Sequence, residues 1–193
     1  MSVIEEPDVG NLQVRFCEGH GLSRKGINMM NERKGESHMS TRQNFMPIAI
    51  DVSGKKILLV GGGKFAQHKI ILLKRFTNNI IIVGSNISEE IKNSGLPYNE
   101  ENYNKRHLEG IYIVYACTND RELNRRIRDD AHEQGVIVNV ADDPDLCDFV
   151  SPAIYLEDNM AVAVSSNGKD VHRSILWRDK IKGFFSGKSR DFK

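Results

Sequence analysis

Apolar and polar positions change their pattern near residue 45. From Phe45 onward, short apolar runs recur at Ile57–Val60, Ile80–Val83, Ile111–Ala116, Val136–Val140 and Met160–Val164. Each is rich in Ile and Val and mostly does not alternate, which is the pattern of strands covered on both faces in a parallel sheet. Stretches with a helical repeat lie between them. Phe65–Phe76 carries Ile70, Ile71, Leu73 and Phe76, and Asn119–Gln134 carries Leu123, Ile127 and Ala131 at steps of four, a stripe on one helix face. Asn119 or Asp120 can cap the second helix, and Gly135 ends it. Val171–Phe185 predicts a further amphipathic helix with Ile175, Leu176, Ile181, Phe184 and Phe185. Strands alternating with helices imply βαβ units with right-handed crossovers, so the expected class is α/β with a parallel sheet.

Residues 1–45 show neither period. They hold Gly10, Gly19, Gly21, Gly26 and Gly35 among mixed charges, and they read as a mobile N-terminal extension. Met39 and Met46 are possible alternative starts.

Composition narrows the function. Lys and Arg number 27 against 26 Asp and Glu, a net charge of +1, which argues against a nucleic-acid protein working through a bulk positive field. Cys17, Cys117 and Cys147 are far apart and odd in number, so neither a disulfide framework nor a zinc site is indicated, and a reduced, cytoplasmic setting is expected. No apolar run approaches the ~20 residues that span a bilayer, and the N-terminus lacks the apolar core of a secretory signal.

The stretch "KKILLVGGGKFAQHK" reads as strand, glycine turn and helix. Gly61, Gly63 and Ala66 fill the three places of the dinucleotide fingerprint: a tight turn, close approach of backbone to a pyrophosphate, and close packing of helix on strand. The N–H groups of Lys64 to Ala66 then face the pyrophosphate. An acid for the ribose is expected about 20 residues on. That point holds Ser85 and Asn86 instead, with no Arg or Lys for a 2′-phosphate, so NAD is favoured over NADP. Thr118 and Asn119 follow the third apolar run and border the nicotinamide side, with Asn119 equally suited to capping a helix.

Several chemistries have no carrier. No Tyr is followed four residues later by Lys, no Gly-x-Ser-x-Gly elbow occurs, and the six histidines show no metal spacing. His68 and Lys69 read as solvated residues of the first helix, Cys117 as core, and Cys147 as near a ligand but without a neighbouring His. What remains is "VNVADDPDLCDF", a strand ending in Asp142, Asp143, Asp145 and Asp148. A strand that delivers a carboxylate to its own carboxyl end places it where open α/β sheets bind ligands, although a solvated acidic loop has the same composition.

The segments "MPIAIDVSGKKILLVGGGKFAQHK", "YACTNDRELNRRI", "VNVADDPDLCDFVSPAI" and "MAVAVSSNGKD", in this order, resemble the precorrin-2 dehydrogenase family, which also forms the N-terminal domain of trifunctional siroheme synthases. The resemblance runs from Met46 to about Phe185. It implies a Rossmann-like NAD-binding domain over 46–150, and a dimerisation region with a truncated helical segment over 151–193, usually as a homodimer. It implies oxidation of precorrin-2 to sirohydrochlorin with NAD, some members also inserting iron or cobalt. It places the catalytic aspartate at Asp142, cofactor-side positions at Gly61, Gly62, Gly63, Lys64, Phe65, Ser85, Asn86 and Thr118, and a substrate-side Ser at Ser166. His68 stands where the family often has Arg, and Asn167-Gly168 where it has Gly-Gly.

Pro144 turns the chain, so Asp143 and Asp145 read as solvated turn formers, and Asp148 as the partner of a base or a turn cap. Arg121, Arg125, Lys169 and Arg173 are candidates for the carboxylates of a tetrapyrrole. Two other readings keep the glycine loop without this chemistry: a non-catalytic NAD-sensing regulatory domain, and a sirohydrochlorin chelatase using the same cleft. Because residues 1–38 lack periodic apolar positions, a chain beginning at Met39 is expected to melt cooperatively at a similar temperature, and calorimetry showing a large loss of stability would contradict this.

Overall fold

The computed structural model describes residues 44–141 and 143–186. The expectations for residues 1–43 and for Asp142 lie outside them. Strand β1 (Ile57–Val60) leads into helix α1 (Lys64–Leu73), then β2 (Ile80–Val83), the short helix α2 (Glu89–Lys92) and β3 (Tyr98–Asn99). A 3-10 turn (Lys105–Leu108) precedes β4 (Ile113–Ala116), α3 (Arg121–Glu133) and β5 (Ile137–Val140). A second 3-10 turn (Pro144–Leu146) leads to β6 (Ala153–Glu157), β7 (Met160–Val164) and α4 (Val171–Phe185). The main sheet runs β3-β2-β1-β4-β5, with every pairing parallel. This is the doubly wound order, in which the chain reverses its direction of growth between β1 and β4.

The unbroken apolar runs now have their reason. Leu58, Val60, Val114, Ala116, Val138 and Val140 point to one face of the sheet, where Ile127 and Ala131 of α3 cover them. Ile57, Leu59, Ile80, Ile82, Ile113 and Tyr115 point to the other, under Ala66, Ile70 and Leu73 of α1 and Ile91 of α2. A strand buried on both sides has no polar position to alternate. Phe45, the last residue assigned to the extension, packs against the first of these clusters.

Two expectations are corrected. Met160–Val164 is not a covered parallel strand: it pairs antiparallel with β6 in a separate two-stranded hairpin and is half-exposed to exposed along its length. Its Ala and Val content imitates a core strand, but among the described helices α4 makes the main contact with the hairpin. The first helix ends at Leu73, with Lys74 as its C-cap, and Phe76 closes a tighter turn on the Leu73 carbonyl at 2.9 Å. Ile71 and Phe76 are exposed, while Ile70 and Leu73 are buried. On α4 only Ser174 is buried, and Leu176, Trp177, Phe184 and Phe185 are exposed, an apolar surface in keeping with the amphipathic pattern of Val171–Phe185. No described helix is long and apolar enough to cross a membrane.

The α3 stripe carries a direct test. Ile127 is fully buried between helix and sheet. Ile127→Ala is expected to lower the free energy of unfolding by about 2–5 kcal/mol in denaturant titration, and a change within error would show that the α3 interface collapses around the cavity.

Candidate functional site

The site begins where β1 ends. Gly61 has φ 130°, a region closed to other residues without strain, and its N–H donates to the Val83 carbonyl at 2.8 Å. A Cβ on Gly61 would stand 2.4 Å from the Cys117 carbonyl oxygen, and one on Gly62 would stand 2.0 Å from that of Asn86. Gly84, at the end of β2, closes on the same turn, since its Cβ would lie 3.3 Å from the backbone of Gly61 and Gly62. The protein's own backbone therefore demands these glycines. Gly63 differs: it is extended, it is the N-cap of α1, and a Cβ there meets nothing within 4 Å. Open space begins at this third glycine.

Helix α1 starts without help. No side chain caps it, no acid lies in its first turn, and its first helical N–H bond runs from Gln67 to the Gly63 carbonyl at 3.1 Å. The N–H groups of Lys64, Phe65 and Ala66 thus have no intrahelical acceptor at the positive end of a ten-residue helix. Ala66 is fully buried against the sheet, which is the close packing its place in the fingerprint requires. An uncapped helix end, open space over Gly63 and glycine-forced approach of the backbone fit the pyrophosphate of a dinucleotide.

Ser85 and Asn86 follow β2 and are exposed beside this turn. Glu100, beyond β3, reaches the same corner and was not anticipated, because its position in the sequence is remote from the glycine loop. Its carboxylate accepts from the Ile87 N–H at 3.1 Å and pairs with Lys92 at 3.2 Å, and these partners hold it below the usual carboxylate range. Thr118 borders the turn through its neighbour Cys117, but its hydroxyl is engaged: it donates to Asn124 Oδ1 at 2.7 Å and accepts from the Asp120 N–H at 3.1 Å. Of the two capping candidates, Asp120 caps α3, its carboxylate accepting from Glu122 N and Leu123 N at 2.9 and 3.1 Å.

A cleft of about 610 Å³ opens beside the glycine loop, and Phe65 in the first turn of α1 lines it. Further along α1, His68, Lys69, Leu72 and Arg75 form one wall. Asn139, Val140, Ala141, Asp143 and Pro144 come from the end of β5, and β6, β7, the 165–168 loop and α4 complete it. Ser166 lines the cleft as expected, and its Oγ accepts from the Asp170 N–H at 2.8 Å. Asn167 adopts φ 59°, and its Oδ1 accepts from the Phe45 N–H at 2.6 Å. A Cβ on Gly168 would lie 3.3 Å from Pro144, so the loop rests on the turn after β5.

The aspartates separate. Ala141 and Asp143, the neighbours of Asp142, both line the cleft. Asp143 is half-buried there, a correction to its reading as a solvated turn residue. Asp145 is exposed. Asp148 pairs with a base as anticipated: one oxygen meets His132 Nε2 at 2.9 Å, and the other accepts from the Val138 N–H at 2.9 Å. Cys147 is buried, with its sulfur 3.1 Å from Val140 N and 3.2 and 3.3 Å from the carbonyl oxygens of Val140 and Asp143. Burial pushes its thiol pKa up, so it ties the loop together rather than acting as a nucleophile.

The cationic candidates are also corrected. None of Arg121, Arg125, Lys169 and Arg173 lines the cleft. Arg121 and Arg125 belong to α3, across the sheet from α1, and Arg125 pairs with Glu122 at 2.9 Å. The cations of the cleft are Lys69, Arg75 and Arg178, with His68 beside them. Lys69 Nζ donates to Ser151 Oγ at 2.9 Å and stands 5.2 Å from the centre of the Tyr115 ring. Burial pushes the Tyr115 hydroxyl up to about 12, so it stays neutral under that amine. The sequence marks His68 and Lys69 only as polar positions of a helix; the cleft they face is made by the chain beyond residue 139. Among the described residues no group of three or more His, Cys, Asp or Glu side chains could hold a metal ion.

Two substitutions separate turn from ligand site. Gly63→Val meets open space, so the melting temperature should hold. Its side chain would keep an anion off the helix end, lowering NAD affinity about tenfold or more, the equivalent of one charge-assisted hydrogen bond. Gly62→Val should instead destabilise the fold itself. Calorimetric titration of a stable Gly63→Val protein with undiminished NAD affinity would show that the loop is only a turn.

Comparison with known proteins agrees with this geometry. A family model described as "Putative NAD(P)-binding" matches residues 48–153. The siroheme synthase of Nitrosomonas europaea is 35% identical over 144 residues, which cover 72% of this chain and 30% of that protein. The siroheme synthase of Psychrobacter cryohalolentis is 38% identical over 145 residues, covering 72% and 27%. The chain thus spans less than a third of these relatives' length. A solved precorrin-2 dehydrogenase shares the fold at a TM-score of 0.59 and 20% identity, over 75% of this chain and 70% of that one. The chain belongs to the family described as putative NAD(P)-binding, and over 72% of its length it is similar to siroheme synthases.

Proposed function

We propose that the chain is an oxidoreductase of siroheme biosynthesis that dehydrogenates precorrin-2 to sirohydrochlorin with NAD. The observation that carries this reading is the adjacency of two features along α1: an uncapped N-terminus over open glycine backbone, and a cleft walled by the same helix. A bound nicotinamide supplies a hydride acceptor. The N–H groups of Lys64 to Ala66 would hold its pyrophosphate, Gly61, Gly62 and Gly63 would let the backbone approach it, and Ser85, Asn86 and Thr118 would make the remaining cofactor contacts. The absence of Arg or Lys at 85–86 favours NAD.

Dehydrogenation also releases a proton, and we assign its acceptance to Asp142, on the segment between cleft-lining Ala141 and Asp143. Apolar surroundings raise the pKa of a carboxylate, and a base of that strength suits this step near neutral pH. Ser166 contacts the substrate, and Lys69, Arg75 and Arg178 balance its carboxylates. We further assign residues 151–193 to dimerisation, supported by the uncovered Leu176, Trp177, Phe184 and Phe185 of α4, and place the protein in the cytoplasm with residues 1–45 as an extension.

The assignment is tested by turnover of precorrin-2 with NAD. Asp142→Asn keeps the size and loses the base, so turnover should fall about 10²–10⁴-fold with NAD affinity unchanged. Asp145→Asn should keep full turnover, and Asp143→Asn most of it. Full turnover in Asp142→Asn would remove the assigned base, and loss in Asp143→Asn alone would move it by one residue.

A further inference from the structure

Asn139 is the buried polar residue of the cleft whose bonding is incomplete. It lies on β5 opposite Tyr115 of β4 and is 4% exposed. Its Nδ2 donates to the Phe149 carbonyl at 2.8 Å and lies 3.5 Å from Cys147 Sγ. Only the amide's N–H₂ end can face a carbonyl oxygen, so the two ends cannot be exchanged. This leaves Oδ1 buried with no hydrogen-bond partner. Buried acceptors are nearly always satisfied, and an orphan in a cleft needs an explanation. Folding has already stripped Oδ1 of water, so a donor that reaches it gains a bond with no further desolvation of the oxygen.

We propose that Asn139 is a ligand-binding residue whose Oδ1 accepts a hydrogen bond from an N–H of the tetrapyrrole; this rests on the substrate reading above. The location of Asn139 points to substrate rather than cofactor, and its chemistry and burial point to an uncharged donor. Asn139 shares the cleft with Lys69, Asp143 and Ser166, while the glycine loop abuts Cys117 and Asn86 instead. Oδ1 is an uncharged acceptor, unsuited to a phosphate or a carboxylate but matched to a pyrrole-type N–H. It is covered in the ligand-free cleft, so the donor reaches it through a local shift of the lining, and the bond is gained only in the complex.

The experiment compares two probes: metal-free sirohydrochlorin, which retains N–H groups, and its cobalt complex, which has lost them. Binding of each is followed by absorbance titration, alongside NAD calorimetry and thermal melting, for wild type, Asn139→Leu and Asn139→Asp. The wild type should prefer the metal-free ligand by about tenfold, the worth of one hydrogen bond to a desolvated acceptor. Asn139→Leu should erase that preference with NAD affinity intact. Asn139→Asp keeps an acceptor but loses the donor to Phe149, and should retain the preference. If the leucine variant kept it, or if both variants lost both ligands equally, the amide would serve only the fold and the proposal would fall. A wild type that discriminates nothing between the probes overturns the Asn139 assignment alone. A wild type that binds neither overturns the substrate reading and this proposal with it.

Discussion

The contact of three backbone segments at Gly61 and Gly62 governs the rest of this structure. The end of β1 lies so close to the carbonyls of Cys117 and Asn86 that no Cβ fits at either glycine. That closeness draws the turn down between β2 and β4, at the point where the strand order reverses. It also sets where α1 begins, and hence that its unbonded N–H groups open over Gly63 rather than into the sheet. From that start α1 runs past the cleft and presents Phe65, Lys69, Leu72 and Arg75 to it. A change of direction at Gly62 would displace the anion site and the cleft wall together.

The opposite wall depends on a second knot, after β5. Asp148 bonds to the Val138 N–H through its carboxylate, and its own N–H returns to the Val138 carbonyl at 2.9 Å. His132 ties the same carboxylate to α3. Cys147 and Asn139 fill the space beneath the turn, touching Val140, Asp143 and Phe149. Bonds of this kind contribute only about 0.5–1.5 kcal/mol each, but they all act on one segment, the one that carries the carboxylates. The 165–168 loop then rests on Pro144. One side of the cleft is thus held by glycine geometry and the other by polar contacts around a buried thiol, and Lys69 Nζ joins the two through Ser151 Oγ at 2.9 Å.

Much of this was readable from residue order. The double burial of β1, β2, β4 and β5 leaves unbroken Ile and Val runs, and the single-sided burial of α3 leaves a four-residue stripe at Leu123, Ile127 and Ala131. The glycine fingerprint reports a local backbone constraint, which is why it survives without tertiary information. What could not be read depends on partners distant in the chain. Strand β3, two residues long, has too few positions to show a period. Met160–Val164 has core composition because apolar residues also serve a hairpin covered on one side. Lys69, Arg75 and Arg178 look like solvated charges until the hairpin and α4 close the cleft in front of them. Asn139 stands in "VNV" as one residue of the segment that carries the family resemblance, but its own bonding lies in the Phe149 carbonyl it holds and the oxygen left over.

The central proposal is that the α1 N-terminus would hold a nicotinamide cofactor beside a cleft that takes a tetrapyrrole for oxidation. The most direct measurement is anaerobic mixing of the protein with precorrin-2 and NAD, following the absorbance of reduced nicotinamide and of sirohydrochlorin together. The account predicts that both rise in step, in equal amounts, and only when protein and NAD are both present. A folded protein that binds NAD yet leaves both absorbances unchanged would contradict it.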